Sequence, residues 1–206
     1  MYDRMMVRRT AEQAAATRRD LLQAALQVFG ECGYAAATLG EIARRAGVTR
    51  GALYHHFTDK TDVYDAVLRE EADEVMRPLM AELAGGGPPL ERLRSFVMSY
   101  CDALERDANF RAVLEILLFG GAGGSQHAQT QTRRGYEAWL GAFQALFEQA
   151  HKRGELRAGV SPRAASVAVV ALAAGMTTTA LQSPGLLSPS QAAASLVDVL
   201  LEGIAA

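Results

Sequence analysis

The chain has 206 residues, a formal net charge of −2, 50% hydrophobic residues and 21% charged residues. That balance excludes a disordered chain, and the length gives one or two domains with room for a real core. The longest apolar stretch, Ala164 to Met176, reads as too short to span a bilayer, and no apolar block follows Arg4, Arg8 and Arg9, so neither a membrane segment nor a secretory signal is expected.

Cys32 and Cys101 form no CxxC pair, and His55, His56, His127 and His151 form no HExxH, so no metal and no cofactor are expected. Two reduced thiols point to the cytoplasm. Charge is unevenly spread. Residues 1–60 hold nine Lys/Arg against six Asp/Glu, and the remainder holds twelve against seventeen. A basic head on an acidic body suits a nucleic-acid-binding module joined to something else.

Period-3.6 apolar patterns recur along the whole chain and alternating ones are absent, so an all-α fold of about nine helices is expected. The first helix reads from Ala11 to Cys32, burying Leu22, Ala25, Leu26 and Phe29, with Gly33 as its stop. Thr38-Leu39-Gly40-Glu41 reads as a capping box, Thr38 capping the amide end and Glu41 reaching back. It opens a short helix from Leu39 to Ala46, which Gly47 ends. Thr49 caps a second short helix, Arg50 to His56. Helix, glycine turn, helix is a helix-turn-helix layout. Thr58 or Asp59 caps a fourth helix from Lys60 to Leu83, with Pro78 expected to kink or weaken its far end.

Gly85-Gly86-Gly87-Pro88-Pro89 is a break. Helices then read at 89–106, 108–119, 125–154, 162–182 and 189–204, with a second, mobile break at Gly120 to Gly124. Ser161-Pro162 and Ser188-Pro189 each place a cap before a proline at the first helical position. The domain boundary is expected at 60/61, separating a three-helix head from a helical body.

In helix-turn-helix docking the first turn of the second helix approaches the base edges. Thr49, Arg50 and Gly51 occupy that turn. Arg50 can pair bidentately with a guanine, and Gly51 allows close backbone approach. Tyr54, His55 and His56 can donate to phosphates. Thr38 and Lys60 stand at helix N-termini, where free amides and the helix dipole favour anions. Arg44 and Arg45 end the first of the two short helices.

The run from Gly40 to Lys60, GEIARRAGVTRGALYHHFTDK, resembles the DNA-binding signature of the TetR/AcrR family of bacterial transcriptional regulators. The match covers residues 14 to 66. The resemblance implies an all-helical homodimer that grips a palindromic double-stranded operator and lets go when a small molecule binds the body. It places Arg45, Thr49, Arg50 and Gly51 among base-reading positions. Thr38, Tyr54, His55 and Lys60 fall among phosphate contacts, with Lys60 expected to touch phosphate alone. Phe110 to Phe119 and the helix at 162–182 resemble the C-terminal region of the AcrR-like efflux-pump repressors.

In the body, helix-spaced stripes nominate the lining of a site for a small hydrophobic or aromatic ligand. These are Phe96, Tyr100 and Cys101, then Ile116 and Phe119, then Trp139 and Phe143 on the stripe that Tyr136 begins, and Met176. Glu105 or Glu115 can counter a cationic ligand. Small residues at Ala164, Ala165, Ala168 and Ala171, with Leu196, Val197, Leu200 and Leu201, nominate helices 162–182 and 189–204 as the dimer contact. The fourth helix is expected to carry the shift from body to head. A regulator of metabolic genes and a ligand-independent DNA-binding member stay open as alternatives. A small helical enzyme is excluded by chemistry: no paired acids, no nucleophile with its base and no phosphate loop stand out.

Overall fold

The computed structural model describes the backbone of residues 2–119 and 126–206, and the side chains of these apart from residues 2–10, 126–128 and 131. The expected break at Gly120 to Gly124 lies outside the described residues. The rest is a chain of helices: α1 (Tyr2–Ala36), α2 (Leu39–Arg45), α3 (Arg50–Tyr54), α4 (Lys60–Ala66), α5 (Ala72–Ala84), α6 (Pro89–Arg106), α7 (Ala108–Phe119), α8 (Gln126–Lys152), α9 (Pro162–Gln182) and α10 (Pro189–Ile204). A π-helical turn, Val67–Glu71, joins α4 to α5 in one unbroken run. That run is the expected fourth helix, so among the described residues the expected count is met when its two halves are taken together. Its departure from α geometry lies upstream of Pro78, and the helix continues past the proline to Ala84.

The helix α1 begins well before Ala11. Its regular part ends at Gly33, whose φ of 72° is open to glycine and strained for other residues. The buried face carries Leu22, Ala25, Leu26 and Phe29, joined by Leu21 and Val28. Thr38 accepts from Glu41 N at 3.1 Å, which is half of the expected capping box. The Glu41 carboxylate does not reach back; it binds Arg44 at 2.6 and 2.8 Å. A charged guanidinium three residues on outcompetes a neutral amide for the same oxygens. Thr49 caps α3 through Ala52 N at 3.1 Å, and Asp59 caps α4 through Asp62 N at 2.9 Å.

Body helices start where sequence punctuation places them. Ser161 accepts from Ala164 N at 3.1 Å and Ser188 from Gln191 N at 3.4 Å, each before its proline. Arg92 is buried and ties the body together, donating to the Gly85 carbonyl and to Gln149 Oε1. The C-terminus folds back onto the α8–α9 connection, where Arg157 N donates to Ile204 O at 2.9 Å.

Head and body share one continuous apolar core. Their main seam is α1 against α7. At Gly30 the approach is so close that an added Cβ would stand 2.9 Å from Ala112 Cβ. Gln27 and Asn109 close the seam with a 2.6 Å hydrogen bond.

The apolar stretch in α9 differs from its expectation. The helix runs through Thr177, Thr178 and Thr179 to Gln182, so it is long and apolar enough to cross a membrane by length and composition. Only 28% of its most apolar window is buried within the chain. Ala164, Val167, Ala168, Ala171 and Gly175 form an exposed strip, and Val199 of α10 is 71% exposed.

Candidate DNA-reading head and body cavity

In the head, Thr38, Arg45, Thr49, Arg50, Gly51, Tyr54 and His55 are all exposed, and Lys60 is half-buried. The caps that hold α2 and α3 use only the acceptor side of Thr38 and Thr49, so each hydroxyl proton stays available to an incoming oxygen. Arg50 lies with its stem 3.9 Å from the position a Cβ would take on Gly40, and Thr38 Oγ1 is equally near that point. One candidate phosphate contact and one candidate base contact thus sit together. Arg50 meets Tyr54 Oη at 3.5 Å, and among the described residues no carboxylate pairs with it.

The other cations differ. Arg45 is held by Glu31 of α1 at 2.7 and 2.8 Å, with Glu41 at 3.5 Å. Hydrogen bonds from the guanidinium hold the Glu31 carboxyl below its ordinary range. The Lys60 ammonium donates to the carbonyls of Tyr34 (2.7 Å), Ala37 (3.0 Å) and Ala35 (3.3 Å), and lies 4.5 Å from the centre of the Tyr34 ring. All three of its donors are used on the chain turn that leads into Thr38. The expectation that Lys60 meets phosphate alone therefore misses a structural task, set by carbonyls 23 to 26 residues away in sequence.

The body encloses an apolar cavity of ≈ 80 Å³ between α6, α7, α8 and α9. Phe96, Tyr100, Trp139 and Phe143 line it, as do Tyr136, Leu114, Leu117, Leu118, Thr132, Gly135, Val170, Ala173, Ala174 and Thr177. Phe96 meets Trp139 and Phe143 edge-on at 5.4 and 5.1 Å between ring centres. The polar features are hydroxyls and the indole nitrogen. Tyr100 Oη and Thr177 Oγ1 share a 2.6 Å hydrogen bond, and burial pushes the Tyr100 phenol up to about 12. Among the described residues no carboxylate or basic side chain lines this space.

Four nominated residues lie outside that cavity. Cys101 is buried with its sulfur 3.7 Å from Met176 Sδ, and burial pushes its thiol up to about 11. Met176 borders a smaller void of ≈ 20 Å³ against α10. Ile116 and Phe119 face the opposite way, toward α1. The reason is helical phase. Residues 114 and 116 are two positions, about 200°, apart on a helix. Because α7 is apolar on most of its circumference, its sequence carries no sign of which side faces the cavity. Val170, Ala173 and Ala174 carry no sequence signal for the cavity, because α9 reads as a dimer helix, whereas it gives one face to the cavity and another to solvent. Glu105 does not counter a ligand; it accepts from Ser188 Oγ and from Ser190 N at 2.9 Å, holding the start of α10.

Comparison with known proteins agrees with this layout. The family described as "Bacterial regulatory proteins, tetR family" matches residues 21–67, and "BetI-type transcriptional repressor, C-terminal" matches residues 89–205. The transcriptional repressor BepR of Brucella suis is 33% identical over 174 residues, covering 82% of each chain. The regulator AcrR of Shigella flexneri is 34% identical over 113 residues, covering 54% of this chain and 53% of AcrR; the chain thus spans about half the length of that relative. Among solved structures, SmeT, the repressor of the Stenotrophomonas maltophilia efflux pump SmeDEF, superposes with a TM-score of 0.76 at 29% identity, over 92% of this chain and 90% of SmeT. SmeT is also known in complex with triclosan, and that structure superposes with a TM-score of 0.80. With one family matching the head, another matching more than half of the chain and a near full-length relative, this protein belongs to the tetR family of bacterial regulatory proteins.

Proposed function

We propose that the chain is a ligand-responsive repressor that grips a palindromic operator as a dimer and controls a multidrug efflux or similar transport operon. The observation that carries the reading is the two-sided use of α7. Leu114, Leu117 and Leu118 line the body cavity, while Ala112 of the same helix abuts Gly30 of the head. A ligand that widens the cavity moves a helix that is already in van der Waals contact with α1.

The ligand is a neutral aromatic compound with a hydrogen-bonding edge. Among the described residues the lining is apolar and aromatic and its polar side-chain atoms are uncharged, so they offer a desolvated cation no counter-ion. The similarity to SmeT supports the transport assignment. In the head, Arg50 reads a base while Thr38, Tyr54 and His55 hold phosphates, and Arg45 must leave Glu31 before it can reach DNA. The exposed strip on α9, with Val199 of α10, supports burial against a second copy.

The test is gel retardation of the duplex upstream of the chain's own gene, with triclosan as the added compound. Release of the duplex at triclosan concentrations that leave the protein folded supports the proposal. A shifted band that persists at saturating triclosan, and with a panel of neutral aryl compounds, overturns the ligand-responsive part of it.

A further inference from the structure

The head–body seam holds a second cavity, of ≈ 200 Å³, bordered by Phe29, Gly30, Tyr34, Tyr64, Glu115 and Phe119. Three of these side chains form an aromatic wall: Tyr64 meets the edges of Phe29 and Tyr34 at 5.0 Å between ring centres in each case. Glu115 borders the same space. Its carboxylate is half-buried and takes part in no hydrogen bond or ion pair among the described residues. Glu31 also borders the space, but Arg45 neutralises it. Lys60 covers one side of Tyr34, but it does not border the cavity and three carbonyls hold it.

An unpaired carboxylate withdrawn from water is costly unless a cation joins it or it takes up a proton. Burial raises the Glu115 carboxyl above its ordinary range, as that cost requires. Aromatic rings beside a carboxylate are the surroundings that a weakly hydrated organic cation prefers, since ring quadrupole and carboxylate attract the same charge.

We propose that this seam cavity is a second small-molecule site, separate from the apolar body cavity, which takes a small organic ammonium ion on Glu115 against the Phe29–Tyr34–Tyr64 wall. The two cavities then divide ligands by charge. The body cavity has no carboxylate among the described residues and takes neutral rings; the seam cavity has the unpaired Glu115 and takes a cation. A cation seated there touches α1, α4 and α7 at once.

The experiment is calorimetric titration of the full-length protein with tetramethylammonium chloride, using sodium chloride of equal strength as the blank. Tert-butanol serves as the uncharged probe of similar shape. The expected result is one tetramethylammonium site per chain, weakened at least tenfold by Glu115→Gln, with no tert-butanol binding and no change in Trp139 emission. Nuclear Overhauser contacts from the methyl protons to the rings of Phe29 and Tyr34 locate the ion independently of the variant. Absence of binding, equal binding by the Glu115→Gln protein, or contacts to the Trp139 ring instead would each overturn the assignment.

Discussion

Arg50 and Lys60 are both cations of the head, and their surroundings give them different tasks. Arg50 is exposed and free of any carboxylate among the described residues, so its guanidinium is available to a base edge. Arg50→Ala should flatten base preference at one position per half-site by about 1–3 kcal/mol while leaving the folded head intact. Binding of a single-substitution operator series measures this. Lys60 closes the exit of α1 with three carbonyls. Lys60→Ala should lower folding stability by about 1–3 kcal/mol, seen as a reduced urea midpoint with unchanged slope. It should also weaken operator binding, because Thr38 loses its support. An unchanged urea midpoint would return Lys60 to a purely phosphate-contacting role. Lys60 shows a limit of sequence reading: its position at a helix start signals an anion site, but its real partners are carbonyls brought back by the fold.

At the scale of elements, the α1–α7 seam is packed too closely at Gly30 to admit a side chain. In an exposed helix Gly→Ala gains about 1 kcal/mol of helix propensity. At Gly30 the new Cβ would stand 2.9 Å from Ala112 Cβ and 3.0 Å from its Cα, and backbone must move. Overpacking of that kind costs about 1–3 kcal/mol, so the penalty wins. Gly30→Ala should lower the melting temperature, and Ala112→Gly in the same chain should recover part of the loss, since the Cα of residue 112 still stands 3.0 Å from the new Cβ. Additive losses in the double variant would show that the two residues do not meet. The π turn between α4 and α5 gives a second test. Arg18 of α1 binds Glu70 at 2.5 and 2.7 Å and thereby holds the Glu70 carboxyl below its ordinary 4.5. Its contribution is present above pH 4.5 and fades as pH falls through the depressed value. Both groups are about one-third exposed, so the contribution is at most about 1 kcal/mol. Arg18→Met should lower stability at pH 8 by up to about 1 kcal/mol and leave it unchanged once Glu70 is protonated in acid; an equal loss at both pH values would contradict the pairing.

Helix positions were legible because glycines, prolines and capping hydroxyls punctuate this chain. Gly33 and the Ser-Pro starts of α9 and α10 stand where the pattern places them. The cavity was half legible. Phe96, Tyr100, Trp139 and Phe143 stand on amphipathic helices, whose polar faces reveal the inward direction. Ile116 and Phe119 sit on a helix with no such contrast, and only packing decides its phase.

At the scale of the whole molecule, the chain itself leaves uncovered the outer surface of α3 and the small-residue strip of α9 with Val199. If a second copy covers the strip, a charge placed there should split the dimer. Val167→Glu combined with Val199→Glu should sediment as a monomer at micromolar concentration and lose cooperative operator binding. The same double variant should keep its helical circular dichroism, since both side chains are solvent-facing within the chain. The account as a whole rests on coupling between body cavity and head. Linkage makes that coupling reciprocal. The direct measurement is a Trp139 fluorescence titration with triclosan, made with and without a duplex that the protein selects from a random pool. Triclosan should bind more weakly to the DNA complex, by the same factor by which triclosan lowers DNA affinity. Equal triclosan affinity in both states would contradict it.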